Sequence, residues 1–368
     1  MEDPFSFVDD LGPAKVVHIS SCQVGLKAVV AVDNTACGPA IGGVRMAPDA
    51  TTEEACRLAR AMTLKNAAAG LPHGGGKSVI LADPKMPSED KERLVRAFAT
   101  IIKDLIEYIP GPDMGTDELA MGWVHDEIGR AVGLPREVGG IPLDELGATG
   151  FGLAAAVDVA SKAINLDLKG ARVAVQGFGA VGKHAAKFLA GRGCVLVAAS
   201  DSRGTVASSD GLDVAALISL KQAGKSVTDL PRGDKKALEA VIDVPCDIWI
   251  PAARPDVLHK GNAARLKARI VAEGANIPCT REAEAMLEAR GVLILPDFVV
   301  NAGGVICAAA EYHGATENMA FAAIDEKIRR NTTSLIENSR RERISMREAA
   351  IGLATERIHN AQRTRRWR

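Results

Sequence analysis

The sequence predicts an α/β protein of two domains, the second built on a doubly wound parallel sheet. Three observations lead there. At 368 residues the chain is long for a single hydrophobic core. Between Gly139 and Gly152 it runs GGIPLDELGATGFG, five glycines in fourteen residues, which reads as a hinge. Beyond that hinge, short apolar runs without polar alternation recur between helical stretches, as parallel strands buried on both faces should.

Composition narrows the function classes. A net charge of −1, with 25% charged and 47% hydrophobic residues, gives no reason to expect nucleic acid or a membrane as partner. The longest apolar stretch worth testing, Phe298–Ala310, has 13 residues. A spanning helix needs about 20. MEDPFSF opens on acids, without the basic segment and apolar core of an export signal, so a cytoplasmic protein is expected. The seven cysteines are odd in number and contain no CxxC, which fits reduced thiols and argues against a zinc ribbon or disulfide framework. There is no HExxH either, and no metal is expected.

Taken in order, Lys27–Val32 reads as a strand, and GPAIGGVRM, Gly38–Met46, as a loop shaped by its proline and glycines. Thr51 and Glu54 form a capping-box pattern that starts a helix. Leu58, Met62 and several alanines recur along it at helical spacing, and Lys65 lies near its end. Gly74, Gly75 and Gly76 then form a turn that lets backbone approach a small ligand, and it aims Lys77 ahead of a strand, Ser78–Ala82. GGGKS also looks like the end of a phosphate-binding P-loop. That reading fails on register, because the first glycine of G-x-x-x-x-G-K-[ST] falls on Leu71. The segment before it is helical in pattern, where a P-loop needs a strand.

Asp83-Pro84 makes a turn, and Ser88 is placed to cap a helix whose Leu94, Val95, Phe98, Ile101, Ile102 and Leu105 form one apolar stripe. In IPGPDMGTD, Ile109–Asp117, prolines and glycines hold Asp113 in a rigid loop, where an aspartate is ordinarily a turn former or a cap. After the hinge, a strand at Ala171–Gln176 runs into Gly177, Gly179 and Gly182 in G-x-G-x-x-G, and a helix follows over Val181–Ala190. A second strand, Val195–Ser200, ends at Asp201, twenty-four residues past the first glycine. This is a dinucleotide-binding pattern: backbone around Gly177, Gly179, Ala180, Val181 and Gly182 takes the pyrophosphate at a helix N-terminus, and Asp201 takes the adenosine ribose. Cys246–Ala253, Arg269–Asn276 and Val292–Asp297 supply further strands ending in small or polar residues such as Ala252 and Asn276. Ligands of such sheets bind outside the strands' carboxyl ends. From Asn301 the chain is helical in pattern, and the closing RTRRWR reads as a solvated basic tail.

The stretch Met62–Lys77, MTLKNAAAGLPHGGGK, resembles the signature of the glutamate/leucine/phenylalanine/valine dehydrogenase family. Its two lysines stand twelve residues apart, as in the family. The resemblance implies a substrate-binding catalytic domain over residues 1–145, a dinucleotide domain over 146–310, and helices over 311–368 that return to the first domain. It implies reversible, NAD-dependent oxidative deamination of an L-amino acid to the 2-oxo acid and ammonia by a homo-oligomer. Lys77 would be catalytic, Lys65 would hold the substrate carboxylate, and Asp113, in the family's P-D-x-x-T segment, would transfer protons. The nicotinamide is expected in the cleft between the domains. Thr149 resembles the threonine near the nicotinamide amide, Asn276 the asparagine contacting substrate amine and cofactor, and Asn301 lies at the same junction.

Ala180 departs from the asparagine common in the family's nucleotide loop. Ser202-Arg203 follows Asp201, and an arginine there suits a 2′-phosphate, so NADP is the alternative cofactor. Glutamate-specific members hold the γ-carboxylate with a lysine in a P-x-K-G-G loop and a serine after N-A-G-G-V. This chain has Ile41 and Ala308 there, so an apolar side chain is expected in a pocket lined by Ile41, Gly42, Met62, Gly111, Val305 and Ala308. Glutamate dehydrogenation, or a catalytically silent dinucleotide-binding regulator, are the alternatives. The regulator would have no need for Lys65, Lys77 and Asp113 together. Schiff-base chemistry at Lys77 would need no nicotinamide domain.

Overall fold

The computed structural model describes residues 5–364; the first four residues of the acidic opening and the last four of the basic tail lie outside them. The chain divides into two compact units. The first holds the described residues up to Leu143, with Val305–Ala323 and the chain from Ile351 onward. The second holds Asp144–Gly304 and Ile324–Ala350.

In the first unit, strands β1 (Lys15–Ser21), β2 (Leu26–Asn34), β3 (Ala40–Met46), β4 (Gly74–Ile80) and β5 (Tyr108–Pro112) form one sheet, in the order β1-β2-β4-β3-β5. β3, β4 and β5 run parallel, while β1 and β2 are antiparallel to their neighbours. Alternation along β2 explains the layering. Ala28, Val30 and Val32 pack with the buried faces of helices α2 (Ser88–Ile101) and α3 (Glu118–Ile128). Val29 and Ala31 face the other way, onto Ala55, Cys56 and Ala59 of helix α1 (Thr52–Ala68). Helices thus cover both faces of the sheet.

Several local expectations are corrected here. GPAIGGVRM is a strand from Ala40 onward, and the three glycines begin a strand that is buried throughout. Glycine is required there because helix α1 lies against β4: a Cβ on Gly75 would stand 2.0 Å from the Thr63 backbone nitrogen. Helix α2 begins after Pro87 with no side-chain cap from Ser88, and Ile101 is exposed on its outer side. Only half of the expected capping box forms, because Thr51 accepts from the Glu54 amide while the Glu54 side chain turns to Arg45.

The second unit opens with α4 (Leu143–Leu146) and α5 (Ala148–Ala163), the chain passing from one unit to the other after Leu143. Its sheet contains β6 (Arg172–Gln176), β7 (Val195–Asp201), β8 (Gly204–Ala207), β9 (Asp234–Lys236), β10 (Ile248–Pro251), β11 (Ile270–Ala272) and β12 (Leu293–Leu295). The order β12-β11-β10-β6-β7-β8-β9 reverses direction between β6 and β10, which makes a topological switch point. Five of these strands are parallel, as expected. β8 and β9 are antiparallel additions at the β7 edge; the turn Ser202-Arg203 between β7 and β8 leaves no room for a crossover. Helices α6 (Ala180–Ala190), α7 (Val214–Gln222), α8 (Arg281–Glu288) and α9 (Asp297–Val300) accompany the sheet.

The C-terminal part is α10 (Gly303–Tyr312), α11 (Glu317–Glu342) and α12 (Met346–Thr364). The expected single block 311–368 is divided between the units. Residues 324–350 are tied to the second unit by ion pairs and by packing: Arg329 pairs with Asp158, Arg347 is buried among Glu273, Glu284 and Asp297, and Ile328 is buried beside Gly152. Among the described residues, no helix is long and apolar enough to cross a membrane.

Candidate active site

The register of the first sheet assembles one polar face. Ile41 pairs with Gly75, Arg45 with Val79, Ile41 with Ile109 and Gly43 with Gly111. By strand alternation Ile41, Gly43 and Arg45 therefore share a face with Gly75, Lys77, Val79 and Gly111, the face that α1 covers. Lys77 Nζ lies 2.9 Å from Asp113 Oδ2, and Arg45 Nε donates to the same oxygen at 2.8 Å. Arg45 also donates to Glu54 at 2.5 Å. A Cβ on Gly43 would come within 2.7 Å of the Asp113 Cβ and 3.1 Å of Lys77 Nζ, so a bare backbone makes room for the pair. The backbone of Asp113 is fixed as well. Its amide donates to Thr116 Oγ1, which in turn donates to the Val44 carbonyl.

Burial lowers the pKa of Lys77, and the positive charge of Arg45 adds to that; Asp113 opposes it without reversing it. For Asp113, burial alone would raise the pKa. The charges and hydrogen bonds of Lys77 and Arg45 outweigh it and hold the carboxyl below its usual value. A buried amine that gives up its proton more readily than usual, beside a held carboxylate, is equipment for proton transfer.

The other expected residues of this unit have defined places. Lys65 lies half-buried in the last turn of α1, with Met62 half-buried one turn earlier. Between them and the sheet, Asn66 donates to the Ile41 and Gly74 carbonyls and seats the helix on β3 and β4. Gly42 is turned away from Lys77. A Cβ there would meet the Gly76 carbonyl at 1.6 Å, and the Gly42 carbonyl accepts from the buried Tyr108 hydroxyl on the far face. Gly43 takes the place expected of Gly42. Gly111 abuts Val132, 3.0 Å from where its Cβ would be. Val305 and Ala308 lie on α10, which Glu311 fastens to the segment after Val132 by accepting from the Gly133, Leu134 and Ile141 amides.

In the second unit, β6 leads into Gly177, whose φ of +91° suits glycine, and a Cβ there would strike Ala253 in the loop after β10. A Cβ on Gly182 would lie 2.0 Å from the Gly177 carbonyl, so the turn closes tightly onto α6. Helix α6 starts at Ala180 after Gly179 with no side-chain cap, and a Cβ on Gly179 would meet nothing within 4 Å. That open cradle of uncapped amides fits the pyrophosphate of a dinucleotide. Val181 is half-buried just inside the helix. The Ala252 amide is tied to the Gln176 carbonyl at the switch point. Thr149 is half-buried near the start of α5. Asn301 donates to Asn276 at 3.0 Å and to the Gly274 carbonyl, so the structure brings these two asparagines together.

Asp201 differs from expectation. Its carboxylate accepts from Lys221, Ser226 Oγ and the Val227 and Arg203 amides, all at 2.8 to 3.0 Å. Despite burial, these donors pull its pKa down to about 2. All of its acceptor positions are filled from within the chain, and a ribose contact requires exchange of one of those bonds. Ser202 and Arg203 are exposed beside it, with Arg203 paired to Asp229.

The sequence profile described as Glutamate/Leucine/Phenylalanine/Valine dehydrogenase matches residues 139–366, and that family's dimerisation-domain profile matches residues 15–130. The chain belongs to this family. A glutamate dehydrogenase of Aeropyrum pernix is 39% identical over 357 residues, covering 91% of this chain and 85% of that protein. A solved hetero-hexameric glutamate dehydrogenase of Thermus thermophilus, in a leucine-bound form, superposes with a TM-score of 0.86 at 32% identity, covering 97% and 91% of the two chains. A solved L-tryptophan dehydrogenase of Nostoc punctiforme gives 0.76 at 28% identity, covering 96% and 98%. The protein is an NAD(P)-dependent amino acid dehydrogenase.

For a member of this dehydrogenase family, sequence reasoning missed Arg45, Gly43, Val132 and Glu311. Reading Gly38–Met46 as a loop hid the first two, since only a strand's alternation puts positions 41, 43 and 45 on one face. It also missed the cluster beneath Asn276. Arg347 is shared by Glu273, Glu284 and Asp297, and Asp297 accepts from the Ile277 amide. One buried cation cannot balance three carboxylates, and burial with the neighbouring acids pushes Glu273 up to about 8. An arginine seventy-one residues after Asn276 gives no local signal.

Proposed function

We propose that this enzyme carries out reversible NAD(P)-dependent oxidative deamination of an apolar L-amino acid of the leucine, valine or phenylalanine type. The reading rests chiefly on one observation. Ile41, 3% exposed on the Lys77 face, and Ala308, 7% exposed on α10, stand where glutamate-specific members carry a lysine and a serine. A γ-carboxylate buried against those two groups would be unpaired, at a cost of several kcal/mol. An apolar side chain gains about 25 cal/mol per Å² buried there.

In this reading Lys65 takes the substrate carboxylate, with Met62, Gly111, Val305 and Ala308 around the side chain. Lys77, its pKa lowered by burial, takes a proton from the substrate ammonium and polarises the carbon that becomes a carbonyl. Asp113 relays protons as water adds to that carbon and ammonia leaves. The turn Gly177–Gly182 holds the pyrophosphate, and Thr149, Ala252, Asn276 and Asn301 hold the nicotinamide end. The bound nicotinamide supplies the hydride acceptor. NAD is the proposed first cofactor, with NADP accepted through Arg203. The enzyme works as a cytoplasmic homo-oligomer.

Deamination of glutamate is the second reading, favoured by the names of the A. pernix and T. thermophilus relatives. The test is kcat/KM for L-leucine, L-valine, L-phenylalanine and L-glutamate with each cofactor, repeated in Ile41→Lys with Ala308→Ser. We expect an apolar substrate to lead and the double variant to gain on glutamate. Glutamate as the best substrate of the unmodified protein refutes the apolar pocket. No turnover of any amino acid favours a silent regulator.

A further inference from the structure

We infer that Arg45, braced by Glu54, is a positioning residue that locks the Asp113 carboxylate against Lys77 and reserves its second oxygen for proton exchange. This rests on the reading that Lys77 and Asp113 carry the reaction. Both cations converge on one oxygen: Arg45 Nε at 2.8 Å and Lys77 Nζ at 2.9 Å from Asp113 Oδ2. Oδ1 takes neither of them. A carboxylate with one oxygen gripped twice cannot rotate, so the proton must come and go at Oδ1.

The geometry behind this runs back to the start of α1. Arg45 Nη1 donates to Glu54 Oε1 at 2.5 Å, and the Glu54 amide is itself held by Thr51. Glu54 thus fixes one side of the guanidinium while Asp113 takes another, an arrangement that needs a planar fork and that lysine cannot copy. The rest of Asp113 is held to the same strand through Thr116, which bonds the Asp113 amide and the Val44 carbonyl. β3 therefore clamps both the backbone and the side chain of Asp113.

The charged groups around Asp113 are Lys77 on β4, Arg45 on β3 and, through Arg45, Glu54 on α1; the neutral Tyr108 hydroxyl of β5 lies on the far face. Both cations favour the ionised carboxylate, and Arg45 also disfavours a proton on Lys77. Removing Arg45 raises both pKa values. If the working state is ionised Asp113 with neutral Lys77, the ascending limb of the pH–rate profile must then move to higher pH.

The experiment compares Arg45→Gln, Arg45→Lys and Glu54→Gln with the unmodified enzyme, following kcat, KM for the dinucleotide, melting temperature and the pH profile of kcat. Expected for Arg45→Gln is a loss of about a hundredfold in kcat with the ascending limb about one pH unit higher and the dinucleotide KM unchanged. Arg45→Lys should recover about tenfold of that loss and restore the limb while staying below the unmodified enzyme. Glu54→Gln, which tests the brace even if the Arg45 variants fold poorly, should lower kcat by less and move the limb to lower pH, because the Glu54 charge raises the Lys77 pKa. A lower melting temperature with kcat and its pH limb unmoved makes Arg45 a structural staple and overturns the inference. Lys77→Ala, run alongside, separates the two levels. If it stays active, the catalytic pair itself is wrong and this inference falls with it; if it is dead while the Arg45 and Glu54 variants are unmoved, only this inference falls.

Discussion

The face around Lys77 and the turn around Gly177 solve opposite problems. On the first, strands β3 and β4 aim charged side chains that are committed to one another: Glu54 to Arg45, Arg45 to Asp113, Asp113 to Lys77. In the second, side chains are kept out so that backbone amides at the start of α6 stay open. One site is made of what its residues carry, the other of what they lack. Substitutions should therefore act differently. Removing a group from the first should cost rate, while adding one to the second should cost affinity.

The largest expected effect is Lys77→Ala. Loss of such an acid–base and electrostatic group costs two to four orders of magnitude in kcat, about 3 to 5 kcal/mol in the barrier. Dinucleotide affinity, measured by fluorescence titration, should stay within about twofold, since Lys77 is on β4 and the turn is in the other unit. A near-normal kcat would break the comparison at its stronger end. Asp113→Asn comes next. It keeps the shape and the Thr116 clamp but removes proton transfer, with an expected loss of about a hundredfold or more in kcat. Activity that survives while only the melting temperature falls would return Asp113 to the ordinary role of a turn residue.

Gly182→Ala probes the other site. Its added carbon would sit 2.0 Å from the Gly177 carbonyl, so the turn must open. Overpacking of this kind typically costs about 1 to 3 kcal/mol, or roughly tenfold to a hundredfold in dinucleotide KM, with kcat at saturation largely kept. A fall in kcat at unchanged KM would show that the turn does more than bind.

The same contrast explains which parts were legible in the sequence. Gly177, Gly179 and Gly182 announce themselves because an absent side chain at fixed spacing after an apolar strand has few other uses. Lys65, Lys77 and the helix between Thr51 and Ala68 were readable from a long contiguous run. Arg45 was not, because its significance depends on the register of β3 against β4, a long-range pairing that sequence does not specify. Arg347 was invisible for the same reason. Its partners Glu273, Glu284 and Asp297 are fifty or more residues away, and an arginine on a helix ordinarily faces solvent. Strand β9 escaped notice because Asp234–Lys236 is exposed and charged, with no apolar pattern to mark it, and β8 because its four residues are too short a run to show one.

The smallest expected effect is on cofactor choice in Asp201→Ala, and it sharpens the comparison most, since Asp201 is a charged side chain at the backbone-built site. A free carboxylate at the end of β7 would bond the ribose diol and repel a 2′-phosphate. Here its charge is already met by Lys221 at 2.8 Å, and its remaining positions are filled by Ser226 and two amides. The alanine variant should therefore shift the ratio of kcat/KM for NAD and NADP by no more than about threefold toward NADP, as for a weakly exposed charge. It should instead lower stability by about 1 to 3 kcal/mol, the cost of leaving the Val227 amide and the Ser226 hydroxyl without an acceptor. The pH dependence carries a sign that identifies the cause. The folded-state pKa of Asp201 is lowered, from 3.8 to about 2, so its stabilisation is fully present above the higher value and is lost as the pH falls toward the lower one. Unfolding of both proteins at pH 7 and at pH 2.5 should show the gap between them narrowing in acid. A tenfold loss in kcat/KM for NAD, with the melting temperature unchanged, would mean that the ribose displaces the internal donors and that Asp201 belongs with the side-chain chemistry.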